Sequence, residues 1–170
     1  PERKLKYTLQ IIENKKSMVG VNTHLTNKIV LEALEENSIK ELKNLDNIKS
    51  EVKFGKNTRF DFLISKNNKK IFVEVKNVTL SRKKGVAEFP DAVTARGLKH
   101  ISELINASKR GFETYLLFLI QRNDCNQFKI AQDIDPDYYK LLTEAAKKKL
   151  NIICYDCKFS SKGIKLNKNI

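Results

Sequence analysis

The chain is poor in the residues that build special frameworks: its 170 residues include 3 cysteines, 3 prolines and 6 glycines. Three cysteines leave one over and do not make a disulfide framework. Cys154 and Cys157 form a CxxC, but Ile152-Ile153-Cys154-Tyr155-Asp156-Cys157 reads as a strand. Residues three apart on a strand point to opposite faces and chelate one ion poorly. With no second CxxC, reduced cytoplasmic thiols are the expectation. So few prolines and glycines leave no flexible hinge, and there is no repeat or low-complexity linker. No run approaches the ~18 uninterrupted apolar residues a membrane helix needs. The charged opening Pro1-Glu2-Arg3-Lys4-Leu5-Lys6 is unlike a signal peptide. Acidic residues are also scarce, Asp+Glu numbering 20 against 33 Lys+Arg, for a net charge of +13. Such an excess favours polyanions, because each phosphate neutralised releases a condensed counterion. The alternative is a lysine-rich soluble surface with no ligand.

What is present is ordinary for a soluble globular protein, 41% hydrophobic and 31% charged. The length suits one domain with a sizeable core. A start at Pro1 instead of Met predicts an upstream segment. Residues 5–12 and 18–21 read as a hairpin around the polar turn Glu13-Asn14-Lys15-Lys16. Thr26 or Asn27 is placed to cap a helix reaching about Asn37, with Ile29, Val30, Ala33 and Leu34 on its apolar face. Three strands are expected over 49–54, 59–65 and 70–80. A long helix follows, capped near Asp91 and stopped by Gly111, with Val93, Leu98, Ile101, Leu104 and Ile105 as its stripe. Tyr115-Leu116-Leu117-Phe118-Leu119-Ile120 is a continuous apolar run, the pattern of a strand buried on both faces. A helix over 137–150 and a last strand over 151–159 complete the order. Helix, three-stranded antiparallel meander, helix, strand, helix, strand predicts an α/β fold with a mixed sheet flanked by helices.

The chemistry concentrates on two neighbouring strands. In Val73-Glu74-Val75-Lys76, Glu74 and Lys76 share a face. In Arg59-Phe60-Asp61-Phe62-Leu63-Ile64, Asp61 faces away from Phe60, Phe62 and Ile64. If Asn67-Asn68 is a two-residue turn, Lys66 pairs with Lys69 and Asp61 falls opposite Glu74. Opposed carboxylates repel, and a divalent cation between them turns that cost into a site. Hard oxygen ligands suit Mg²⁺ or Mn²⁺. Such an ion activates water for attack on a phosphodiester, with Lys76 positioning that water or offsetting charge in the transition state. On the long helix Arg96, Lys99, His100 and Glu103 recur at spacings of three and four. Arg59, Arg96, Lys99 and His100 are therefore assigned to nucleic-acid contact, against the plainer reading of a solvated helix face. Gly97 is expected to let that helix approach a neighbour closely.

The stretches Ser50-Glu51-Val52-Lys53-Phe54-Gly55, Val73-Glu74-Val75-Lys76-Asn77-Val78-Thr79-Leu80 and Phe89-Pro90-Asp91-Ala92-Val93-Thr94-Ala95-Arg96-Gly97-Leu98-Lys99-His100 resemble the sugar fermentation stimulation protein A family, as does Ala131-Gln132-Asp133-Ile134-Asp135-Pro136. The resemblance covers nearly the whole chain. It implies a two-part protein, an oligonucleotide-binding-like barrel followed by a restriction-endonuclease-like domain. Residues 1–20 would then be the end of the first part and 21–170 the second. It further implies binding of DNA, with RNA left open, without sequence preference, and a role in regulating sugar (maltose) utilisation. Asp61, Glu74 and Lys76 match the core motif of the Pro-Asp…(Asp/Glu)-x-Lys nuclease superfamily, although Phe60 stands where that motif has proline. Glu32 occupies the place of an additional acidic ligand from the first helix, yet it sits almost opposite that helix's apolar face. An active Mg²⁺- or Mn²⁺-dependent nuclease, a DNA-binding module with a vestigial site, and a regulator acting through protein partners remain the three readings.

Overall fold

In the computed structural model, residues 6–15, 17–55 and 58–170 are described. The short strands β1 (Ile11–Asn14) and β2 (Ser17–Gly20) form a hairpin. Leu5 and Lys16, at the expected strand start and turn, lie outside the described residues. The hairpin leans on the main body, where Gly20 N–H donates to the Gln121 carbonyl at 2.9 Å and Met18 N–H to Asn123 Oδ1 at 2.8 Å. Helix α1 (Thr26–Glu35) follows, and its Ile29, Val30, Ala33 and Leu34 are buried at the expected spacing.

Six strands make the central sheet: β3 (Asn47–Phe54), β4 (Thr58–Lys66), β5 (Lys69–Val78), β8 (Glu113–Ile120), β10 (Asn151–Ser160) and β11 (Gly163–Asn169). Their order is β11-β10-β8-β5-β4-β3. The meander β3-β4-β5 is antiparallel, β5, β8 and β10 run parallel, and β11 returns antiparallel to β10. The expected mixed sheet is therefore present, with one more edge strand than its sequence pattern revealed. The apolar run is the centre: Tyr115 through Ile120 are all buried, between β5 and β10.

Helix α1 covers one face of the sheet. Helices α2 (Ala95–Lys109) and α3 (Pro136–Lys147) cover the other. A second small sheet was not expected: β6 (Leu80–Lys83), β7 (Gly85–Phe89) and β9 (Cys125–Ile130). It packs on the α2 side through Phe89 and Phe128, whose rings lie 5.4 and 4.6 Å from that of Phe118. The α2-side core is rich in rings, Phe54, Phe60 and Phe72 clustering within 5.3 Å of one another. The α1-side core is mostly aliphatic. Cys154 sits in the α2-side core and Cys157 in the α1-side core, so the CxxC is split across the sheet as the strand period requires. Burial, then the nearby Asp156 charge, pushes both thiols up to about 12, which leaves them unreactive.

Helix α2 starts later than expected. Thr94 is the cap, its hydroxyl accepting from Gly97 N–H at 2.9 Å, while Val93 lies outside the helix and is 75% exposed. Asp135, almost fully buried, caps α3 by accepting from Tyr138 N–H and also accepts from Thr94 N–H, each at 2.9 Å. One carboxylate thus ties the starts of both helices together. Gly97 makes the close approach that was expected of it. A Cβ there would stand 2.9 Å from the Tyr138 ring and 2.7 Å from Thr94 Cγ2.

Candidate nucleic-acid and metal site

The hairpin joining β4 and β5 turns at Asn67-Asn68, both left-handed with φ 48° and 63°. This pairs Lys66 with Lys69 and continues to Phe62 with Val73. There the ladder ends, one step short of the expected Asp61–Glu74 pair. Asp61 Oδ2 instead accepts from Val75 N–H at 2.7 Å, filling the gap where the strands part. Its other oxygen accepts from Asn27 Nδ2 on α1, also at 2.7 Å.

The parting has a visible cause. Phe62 and Ile64 enter the α1-side core, but Phe60 enters the α2-side core. Residues two apart on a regular strand share a face, so β4 flips at Asp61. The prediction that Phe60 shares a face with Phe62 and Ile64 is corrected here. Opposite, β3 flips too, between Ile48 on one side and Val52 on the other. Glu51, between the paired residues Ser50 and Val52, takes φ 57°. A non-glycine residue in that region is strained by about 1–3 kcal/mol and such strain gathers at functional sites. The kink puts Asp61 where two clefts meet.

Glu74 and Lys76 share the face of Phe72 and Val78, towards α2. Glu74 is 2% exposed. Its Oε1 accepts from Lys76 Nζ at 2.7 Å and from His100 Nδ1, and Lys76 Nζ lies 3.2 Å from that ring nitrogen. Its Oε2 is buried with no hydrogen-bond partner among the described residues. Burial pushes Glu74 upward, but the His100 hydrogen bond and the charge of Lys76 outweigh it and hold the carboxyl below its ordinary range. Asp61 behaves in the opposite way. Burial first, and the Glu74 charge second, raise it from 3.8 to about 6, against hydrogen bonds from Val75 and Asn27.

Arg59, Arg96, Lys99 and His100 all line one cleft of about 610 Å³ together with Glu51, Ala95 and Asp61. Three of these four are exposed cations, and Arg59 makes a loose 3.5 Å pair with Glu51. His100 is the exception. It is buried against Glu74 instead of standing on the solvated face assigned to it. The buried residues of α2 are Gly97, His100, Ile101, Leu104 and Ala107. That three-and-four spacing was the signal for His100's inward position. Glu32 is also corrected: it faces β11, where Lys165 Nζ holds it at 2.8 Å, away from Asp61. The residue α1 sends to the site is Asn27, for which the sequence offers only a capping signal. A second cleft of about 400 Å³, lined by His24, Asn27 and Lys28 among others, reaches Asp61 from the α1 side.

The donor set fits a hard cation. Two carboxylates approach closely enough for one to raise the other, and one buried carboxylate oxygen faces no protein donor. Among the described residues no three of histidine, cysteine, aspartate and glutamate gather into a metal-holding group. A cation here would rest on Asp61, Glu74 and oxygens of solvent or substrate.

Comparison with known proteins agrees with this architecture. Residues 24–163 match the family model described as the sugar fermentation stimulation protein RE domain. The sugar fermentation stimulation protein homolog of Pelagibacter ubique is 57% identical over 170 residues, all of this chain and 73% of that protein. The homolog of Maricaulis maris is 40% identical over 165 residues, 96% of this chain and 70% of that one. The structure of Pyrococcus furiosus SfsA in complex with Ca²⁺ superposes with a TM-score of 0.90 at 28% identity, over all of this chain and 73% of that one. The fold is the restriction-endonuclease-like α/β core that the strand order describes, and the chain belongs to the sugar fermentation stimulation protein family.

Proposed function

We propose that this chain binds DNA without sequence preference and holds a divalent cation between Asp61 and Glu74, in a centre built for phosphodiester hydrolysis. The observation that carries the reading is Glu74 Oε2, a buried anionic acceptor left without a donor beside a second carboxylate. The Ca²⁺ held by the Pyrococcus relative supports an oxygen-ligand cation. When bound, Mg²⁺ or Mn²⁺ would supply Lewis acidity at a phosphoryl oxygen and acidify a water. Asn27 and the Val75 amide fix the Asp61 carboxylate. His100 and Lys76 fix Glu74 through Oε1 and leave Oε2 free. Lys76, the cation nearest the carboxylates, offsets charge that builds on the phosphate in the transition state. Arg59, Arg96 and Lys99 meet the backbone phosphates, which orient the polymer without reading its bases. On this reading residues 1–20 end an upstream oligonucleotide-binding-like part and 21–170 form the nuclease-like domain. The role in sugar utilisation carried by the relatives' names would then act through DNA.

A second reading has its own observation. Lys76 already neutralises Glu74, so the pair is stable without a cation, as in a DNA-binding module that has lost its chemistry. Calorimetric titration with Mn²⁺ and Ca²⁺ separates the two. The nuclease-like reading expects binding that Glu74→Gln abolishes, because one carboxylate cannot offset the ion's dehydration. Wild type that binds DNA but neither ion leaves the module.

A further inference from the structure

A second, wide cleft lies far from Asp61. It has a volume of about 910 Å³ and opens where β5, β8 and β10 begin and α2 ends. Lys69, Lys70, Arg110 and Lys149 line it, against one carboxylate, Glu113. That carboxylate accepts from the Tyr115 hydroxyl at 3.0 Å. Among the described residues none of the four cations makes an ion pair with an acid. Two other exposed cations do have acidic partners: Arg82 clasps Glu88 and Asp133, and Lys165 holds Glu32 and Glu36. Arg110 is also held in place, its guanidinium 4.8 Å from the centre of the Phe54 ring and 5.9 Å from that of Phe112. A fork stacked on rings loses little freedom when it takes a phosphate.

Basic residues at helix C-termini commonly just complement the helix dipole. Lys109 and Lys147, in the last turns of α2 and α3, serve that end. Lys69 and Lys70 come from a strand, and the dipole does not account for them.

Helix α2 links this cleft to the Asp61 centre. Arg96 and Lys99 stand at its start and Arg110 just past its end. Fourteen residues of helix span about 21 Å, and β5 spans a similar length from Lys69 to Lys76 at about 3.3 Å per residue. One strand of B-form DNA carries a phosphate every ~3.4 Å, so about six phosphates bridge the two places. We infer that the Lys69–Lys70–Arg110–Lys149 cleft is a second phosphate-backbone site, gripping the same DNA about six nucleotides from the Asp61–Glu74 centre. This rests on the DNA-binding reading above and assigns it a path along α2.

The test compares two triple variants of the full chain, each removing three positive charges. Lys69→Gln, Lys70→Gln and Lys149→Gln empty the cleft of lysine and spare the stacked Arg110. Lys158→Gln, Lys162→Gln and Lys168→Gln do the same at the β10–β11 edge, where the residues are exposed. Affinity for a duplex of about 20 base pairs is measured against salt. The cleft triple should lower the slope of log K against log salt by about two to three, and weaken binding roughly 10²-fold at ~0.1 M salt. The edge triple should change the slope by less than about one. Duplexes too short to span the ~21 Å reach only one site at a time, so the gap between wild type and cleft triple should narrow with them. An equal slope change in the two triples, or none in either, overturns the second site while leaving DNA binding standing. Wild type that binds no duplex at all overturns both readings.

Discussion

The two ends of β5 treat charge in opposite ways. At one end Glu74 is buried and Lys76 largely so, and each charge is held by groups of the same protein. At the other, Lys69 and Lys70 stand in solvent with no acidic partner among the described residues. Desolvation explains the difference. A buried charge without compensation costs several kcal/mol, so the interior end assembles carboxylate, ammonium and imidazole as a unit. An exposed lysine costs nothing to leave unpaired and stays available to a polyanion from outside. The buried end suits chemistry that demands fixed geometry, the exposed end capture that tolerates any sequence.

Removing one lysine from each end breaks the comparison most sharply. Lys76→Ala strips Glu74 of its charge partner, and thermal or denaturant unfolding of the metal-free protein should show a loss of about 3 kcal/mol. Divalent-ion affinity should nevertheless hold or rise, since an ammonium near the cation is gone, while any cleavage stops. Lys69→Ala should shift stability by no more than about 0.5 kcal/mol.

Gly97→Ala probes the helix that spans both ends. The added methyl would meet Thr94 and the Tyr138 ring at under 3.0 Å, and those atoms belong to a cap and a buried core. Overpacking of this kind costs about 1–3 kcal/mol, which offsets the ~1 kcal/mol helix preference for alanine. Because α2 carries Arg96, Lys99 and His100, DNA affinity should fall along with the unfolding midpoint.

Protons sharpen the contrast between the two carboxylates. Cation binding needs Asp61 ionised, so with its carboxyl raised to about 6, affinity should weaken about tenfold for each pH unit below that, or ~1.4 kcal/mol. The sign for stability is opposite. Asp61 is raised on folding, so its contribution is full below 3.8 and is lost as pH rises through about 6. Metal-free protein should therefore unfold more easily at pH 7.5 than at pH 5 as far as Asp61 governs it, and Mn²⁺ should restore the difference. A cation affinity flat across pH 5–7 would place Asp61 outside the ligand set.

The central framework was legible because it is written in strong periodicities. The run from Tyr115 to Ile120 marked the middle strand, and Asn67-Asn68 fixed the hairpin register that brings Asp61 towards Glu74. The small sheet and β11 were not, since Leu80-Ser81-Arg82-Lys83 and Gly163-Ile164-Lys165-Leu166 are short or polar edge segments that carry little alternation. Asn27 escaped because its role depends on where α1 crosses the sheet, which no local pattern records. His100 was misplaced by reading its polarity before its position between Gly97 and Leu104. Glu32 was drawn off by Lys165, a residue from a strand the sequence did not reveal. In each case the missing information was tertiary.

The smallest effect concerns the kink that sets the two ends apart. Glu51 holds φ 57° opposite Asp61, in a strand otherwise extended. Among the described residues its side chain makes only the loose, half-exposed pair with Arg59, which contributes little in solvent. Glu51→Gly removes the steric cost of the left-handed backbone and adds freedom to the unfolded chain; the first outweighs the second, for a net gain of about 0.5–1 kcal/mol. Glu51→Ala keeps the strain and loses the pair, and should leave stability within about 0.5 kcal/mol. A gain with glycine and none with alanine assigns the effect to backbone strain. Equal gains would assign it to removal of the carboxylate, which lines the cleft with Asp61. Divalent-ion titration of the glycine variant then reads what the strain does. If the kink holds Asp61 against Val75 and Asn27, a relaxed backbone should weaken cation binding even as the protein becomes more stable.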